Sequence, residues 1–153
     1  LGKSEEEYYQ AIAKTFLVSC DNAHALHPNH PEKTDAVNCV TMNGGIVIKE
    51  SANQKYTTDA FSRALFTGVC QNVNVPVQSF ANRSDSVGGS TLGNLSNTQV
   101  SIHAVDFGLA QLAMHSCFET AGVKDTEYAI IALKEFYETN VQIDEAESVC
   151  LEK

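Results

Sequence analysis

Residues 16–31 read FLVSCDNAHALHPNHP, an apolar run that stops at one aspartate and then carries three histidines. A buried strand that ends in a carboxylate and imidazoles is how many α/β proteins deliver a metal or catalytic site, because ligands collect beyond the carboxyl ends of strands. Asp21, His24, His27 and His30 are therefore the first candidates, set against a reading in which they are polar loop residues that cap backbone or face water. The spacing H-x-x-H-x-x-H suggests a helical ligand face, but Pro28 and Pro31 interrupt any helix there.

Working outward, Ser4 and Glu7 form a capping-box pattern, with Tyr8, Ala11 and Ile12 at helical spacing behind it. Thr15 to Cys20 reads as a buried strand and Gly45 to Ser51 as a second, with Lys49 near its end. Thr58 is placed to cap a helix whose Phe61, Leu65 and Val69 share a face, and Val75 to Phe80 reads as a third strand. Residues 82–97, NRSDSVGGSTLGNLSN, read as a Gly- and Ser-rich loop that runs toward a helix start. Val105 to Met114 is apolar but broken by Gly108, which suggests a strand followed by a loop. Asp125 is placed to cap the last helix, with Ile130, Leu133 and Phe136 or Tyr137 as its buried stripe. Strands alternating with helices predict an α/β layer fold.

The chain has 153 residues and 43% apolar content, enough for one core, so a single domain over 1–153 is expected. Its 19 acids outnumber 10 Lys and Arg, which argues against nucleic-acid and anionic-membrane partners. Much of the excess lies at the end of the chain, in Glu135, Glu138, Asp144, Glu145, Glu147 and Glu152, expected to be a solvated helix face and tail. The five cysteines include no C-x-x-C pair; Cys20 and Cys70, set in apolar runs, are expected to pack as small hydrophobes, and the expected location is cytoplasmic. The opening LGKSEEEYY lacks an initiator Met and a signal sequence, which suggests a piece of a longer chain.

Further candidates follow the apolar runs. His115, in QLAMHSCFE, reads as a metal ligand or as a satisfied buried histidine. Lys49, seven residues before Tyr56, reads as an anchor for substrate charge, or as a snorkelling lysine beside a packed tyrosine. Residues 87–93, VGGSTLG, lack the G-K-S/T ending of a phosphate cradle and read as a tight turn.

Four segments together, SCDNAHALHPNHPEK (19–33), GGIVIKESANQKYTTDA (44–60), NRSDSVGGSTLGNLSN (82–97) and VDFGLAQLAMHSCFETAGVKD (105–125), resemble the C-terminal half of the aspartyl aminopeptidase and vacuolar aminopeptidase I family of dinuclear zinc aminopeptidases. The match runs in order from about residue 13 to about residue 139, and the motifs S-x-D-x-A-H-A-x-H-P-N and Q-L-A-M-H-S carry it. The resemblance implies a zinc-exopeptidase, phosphorylase/hydrolase-like, three-layer α/β/α domain with a mixed sheet. It implies that Asp21 ligates one zinc and His115 the other, and that His24, Lys49 and Tyr56 face the substrate. His27 and His30 are then structural or solvent-facing.

In such a site two zinc ions polarise the scissile carbonyl and acidify a shared water, and one N-terminal residue, acidic in part of the family, is removed from a peptide. The family's upstream histidine, bridging aspartate and Glu-Glu pair, which includes the general base, lie N-terminal to the matched region. This chain has no counterpart, since Glu5, Glu6 and Glu7 belong to the opening turn of a capped helix. Val87 and Gly89 stand where many members carry Pro and Cys. The resemblance thus implies a C-terminal portion of the catalytic domain without its N-terminal portion and inserted dimerisation domain, inactive alone and homo-oligomeric as part of the full-length enzyme. The competing expectation is a binding or assembly module that keeps the fold without catalysis.

Overall fold

Ser4 caps the first helix as its sequence predicts: its hydroxyl accepts from the Glu7 N–H, and the Glu7 carboxylate accepts from the Ser4 N–H at 2.8 Å. The computed structural model describes residues 2–145 and 148–152. In chain order the elements are α1 (Glu5–Ala13), β1 (Phe16–Cys20), β2 (Ala23–His24), a short 3-10 turn (Pro31–Lys33), β3 (Ile46–Glu50), α2 (Ala60–Asn72) and β4 (Val77–Ala81). They continue with α3 (Leu92–Asn97), β5 (His103–Gly108), β6 (Ala110–Leu112), β7 (Thr120–Ala121), α4 (Val123–Glu138), β8 (Asn140–Glu145) and β9 (Ser148–Glu152).

The main sheet has the order β1-β5-β3-β4 and is mixed: β1 runs parallel to β5, β3 parallel to β4, and β3 antiparallel to β5. The β3-α2-β4 segment is a crossover unit, as a parallel neighbour requires. Period two then sorts the side chains by face. Ile46, Ile48, Val105 and Phe107 point to the side covered by α2 and α4, where they pack with Phe66, Cys70 and Ala132. Val47 points to the other side, into a second cluster with Ala23, Ala25, Val40, Tyr56, Phe80 and Ala110. That second side is covered by the small sheet β2-β6-β7 and by α3, giving a layered mixed α/β fold.

Gly108 is where β5 hands over to β6. A Cβ there would lie 2.0 Å from the Asp21 carbonyl oxygen, because the two chains run side by side, with the Asp21 N–H on the Phe107 carbonyl and the Ala23 N–H on that of Leu109. The break predicted at Gly108 is real, but a second strand, β6, follows it instead of a loop.

Six other expectations are corrected. Asp59, not Thr58, caps α2, its carboxylate accepting from the Ser62 N–H at 2.7 Å. Residues 92–97 of the expected loop form α3. On α4 the buried positions are Asp125, Ala132 and Glu135, with Leu133 and Phe136 half-buried, whereas Ile130 and Tyr137 are 63% and 81% exposed. Asp125 sets that rotation: it is not the cap, which is Gly122, but turns inward and accepts from the Asn43 and Gly45 N–H groups at 2.6 and 2.9 Å. The C-terminal end is no tail; β8 and β9 pair as an antiparallel ribbon, with Glu147 outside the described residues. Cys70 is buried, and its thiol pKa is pushed up to about 12 by burial, while Cys20 is exposed at the end of the edge strand β1.

Candidate active site

Asp21 follows the last residue of β1, His24 ends β2, and Lys49 is the fourth residue of β3 on the same face as Val47. The loop after β3 brings Tyr56, the Gly-rich loop brings Gly89, Ser90 and Thr91, and the turn after β6 brings Met114 and His115. All line one cavity of about 210 Å³. The five residues implied by the resemblance, scattered over 95 positions from Asp21 to His115, thus meet in one place.

Lys49 does not snorkel. Its residue is 1% exposed, and its ammonium donates to Asp21 Oδ2 at 2.7 Å and to the Asn22 carbonyl at 3.4 Å while lying 4.8 Å from the Tyr56 ring centroid. A desolvated ammonium held this way is costly unless paired, and the carboxylate and the ring face both compensate it. The Tyr56 hydroxyl accepts from Asn82 Nδ2 at 3.0 Å, and its own proton remains available to a ligand. Burial pushes the phenol's pKa up, the nearby Asp21 and Asp106 charges add to that, and the Asn82 hydrogen bond opposes it. The phenol is therefore a donor at neutral pH.

His115 is exposed, so the buried-histidine alternative fails. Its backbone is left-handed, φ 66°, as is that of Ala113, φ 55°, and its N–H donates to Glu119 Oε1 at 2.6 Å. This tight turn places His115 at the cavity. His27 and His30 lie outside it, their rings 5.2 Å apart, and His30 pairs with Glu32 at 3.2 Å. Together with His24 and Phe80 they line a neighbouring cleft of about 510 Å³.

Sequence reasoning missed Asp106 and Asn82. Asp106 is fully buried beneath the cavity floor, and the available signal was an acid inside the apolar strand AVDFG. Asn82, at the end of β4, carried no signal of its own.

Asp21 and His115 are metal-ligand types facing one cavity, yet among the described residues no group of three His, Cys, Asp or Glu stands close enough to hold an ion. A catalytic zinc needs three protein donors and a structural one four. This chain therefore fits as a contributor of donors and does not complete a site.

The Asp21–Lys49 pair has a consequence for stability. Asp21→Ala strands the buried ammonium, and because the carboxylate side chain is 53% exposed the expected loss in the 153-residue chain is about 1 to 3 kcal/mol, below that for a fully buried pair. Urea denaturation of Asp21→Ala and of Asp21→Ala with Lys49→Met checks this. The second variant should recover most of the loss, and equal midpoints for wild type and Asp21→Ala would refute the account.

Among the described residues no helix is long and apolar enough to cross a membrane. The family described as "Aminopeptidase I zinc metalloprotease (M18)" matches residues 1–137. The chain is 46% identical over 137 residues to "Probable M18 family aminopeptidase 2" of Clostridium novyi, covering 90% of this chain and 32% of that protein. It is 40% identical over 145 residues to "Aspartyl aminopeptidase 1" of Schizosaccharomyces pombe, covering 95% of this chain and 31% of that one. It superposes with a TM-score of 0.88 and 41% identity on Ape4, solved by cryo-EM in complex with Nbr1, covering 90% of this chain and 26% of that chain. The chain thus spans about a third of the length of the curated relatives it matches. A mixed α/β fold shared with Ape4, a strand-end cluster of family residue types and a match over most of the sequence converge: this chain belongs to the M18 aminopeptidase family.

Proposed function

We propose that residues 1–153 are a single domain-forming portion of the catalytic unit of a zinc-dependent aminopeptidase that removes N-terminal residues, acidic ones among them, from peptides. The observation that carries the reading is the convergence of Asp21, His24, Lys49, Tyr56 and His115 on one cavity. Asp21 and His115 each supply a donor to one of two zinc ions, and the remaining donors and the general-base glutamate belong to the remainder of the catalytic domain. Zinc bound there supplies Lewis-acid polarisation of the peptide carbonyl. The Lys49 ammonium and the Tyr56 hydroxyl hold substrate oxygens, and His24 borders the opening toward the larger cleft. The acidic preference is supported by the name of the S. pombe relative and by a buried ammonium in the site.

The exposed apolar residues Val123, Ile130 and Tyr137, seven apart along α4, suit burial by the rest of the domain or by further copies in a homo-oligomer. The cytoplasm is the proposed location. The test is hydrolysis of Asp-, Glu- and Leu-p-nitroanilide by the longer protein carrying this segment, with and without a chelator. Chelator-sensitive release supports the reading. No release, or a reading frame lacking the upstream Asp and Glu-Glu, leaves a binding or assembly module instead.

The incomplete donor set gives a separate expectation for the 153-residue chain. After dialysis it should retain zinc far below stoichiometry, because two donors are fewer than any stable zinc site uses. Elemental analysis decides this. Tight stoichiometric zinc that is lost in Asp21→Ala would show that the chain completes a site by itself.

A further inference from the structure

Asp106 is 0% exposed on β5, and its two carboxylate oxygens are used unequally. Oδ2 accepts from the Thr57 N–H at 2.7 Å, the Thr57 hydroxyl at 2.9 Å and the Thr91 hydroxyl at 2.9 Å. Among the described residues Oδ1 has no hydrogen-bond partner; it faces Gly93, where a Cβ would come within 3.0 Å of it. The Asp106 backbone adds a second latch, its N–H donating to the Thr58 hydroxyl at 2.9 Å. A buried carboxylate kept only for stability is better served by donors on both oxygens. Here three donors from two separate loops converge on one oxygen.

Those donors flank the site. Thr57 directly follows Tyr56, and Thr91 follows Gly89 and Ser90; Tyr56, Gly89, Ser90 and Thr91 are on the cavity wall. The loops come from opposite ends of α2 and β4, and Asp106 is a common anchor beneath them. Gly93 lets α3 approach closely enough for Thr91 to reach it, since a Cβ would also meet Ser19 and Thr57 at 2.9 Å. We propose that Asp106 is a positioning residue that, through one carboxylate oxygen, sets the separation of the Tyr56 loop and the Gly89–Thr91 loop, and so the width of the slot that receives the peptide's N-terminal residue. The inference rests on the aminopeptidase reading above.

Thr91→Val is the cleaner variant. It removes one donor while keeping the side-chain shape, and the Thr91 side chain makes no cap hydrogen bond to α3. Asp106→Asn is the stronger one. In the longer aminopeptidase, Thr91→Val should raise KM about tenfold for aminoacyl-nitroanilides with kcat within about a factor of two, the signature of lost substrate binding. A purely structural role predicts the reverse, with kcat falling along with the folded fraction and KM constant.

In the 153-residue chain, amide exchange at Thr57 and at residues 89–91 should accelerate about tenfold in Asp106→Asn while β1 and β3 amides keep their rates. An unmoved KM in an active Thr91→Val enzyme, or exchange that rises uniformly across the sheet, overturns the positioning role alone. An unmutated longer protein that cleaves nothing overturns the aminopeptidase reading and the inference with it.

Discussion

If His115 ligates zinc as proposed, removal of its imidazole from the longer protein is expected to cut turnover by at least about a hundredfold, since losing a direct ligand exceeds the effect of losing its outer-shell support. The backbone complicates the obvious variant. His115 sits at φ 66°, where alanine is strained and asparagine is tolerated. His115→Ala therefore loses stability as well as the ring, whereas His115→Asn loses the ring with little strain. Both should fall to the same low rate, with zinc content below that of the wild type, and only the alanine variant should melt earlier. Wild-type turnover in a well-folded His115→Asn protein would remove His115 from the site.

Lys49→Met is expected to separate substrate recognition from packing. The stem of Lys49 lies among buried residues of β3, and methionine replaces most of its volume. Removing a desolvated ammonium offsets the lost ion pair, so thermal stability should change by no more than about 1 kcal/mol in either direction. If the ammonium holds a substrate oxygen, kcat/KM should fall roughly ten- to hundredfold, the equivalent of a charged hydrogen bond worth about 1.5 to 3 kcal/mol. The loss should be larger for acidic than for neutral N-terminal residues. An unchanged kcat/KM across both classes would sink the role assigned to Lys49.

Local chemistry sufficed for what depends on neighbours in the chain. The Ser4 capping box, the strands ending before Asp21 and after Lys49, and the break at Gly108 follow from residue types at short spacing, because caps, alternation and chain breaks act over a few residues. The family motifs also pointed to five residues that line one cavity, Asp21 and His115 included. Other outcomes depended on partners far away in sequence. Periodicity places Ile130, Leu133 and Phe136 or Tyr137 on the buried stripe of α4; Leu133 and Phe136 are half-buried but Ile130 is exposed, with Asp125 gripping the turn at Asn43 and Gly45, some 80 residues earlier. Cys20 is exposed although it ends an apolar run, because β1 lies at the sheet edge. Whether Lys49 snorkels or stays buried turned on a carboxylate 28 positions away. The sequence by itself thus determined the family, the layered α/β class and five of the residues that line one cavity. Tertiary structure alone decided which faces are covered, which charges are paired, and that a buried Asp106 ties two loops together. Burial and pairing free energies belong to contacts between distant segments, and no local pattern encodes them.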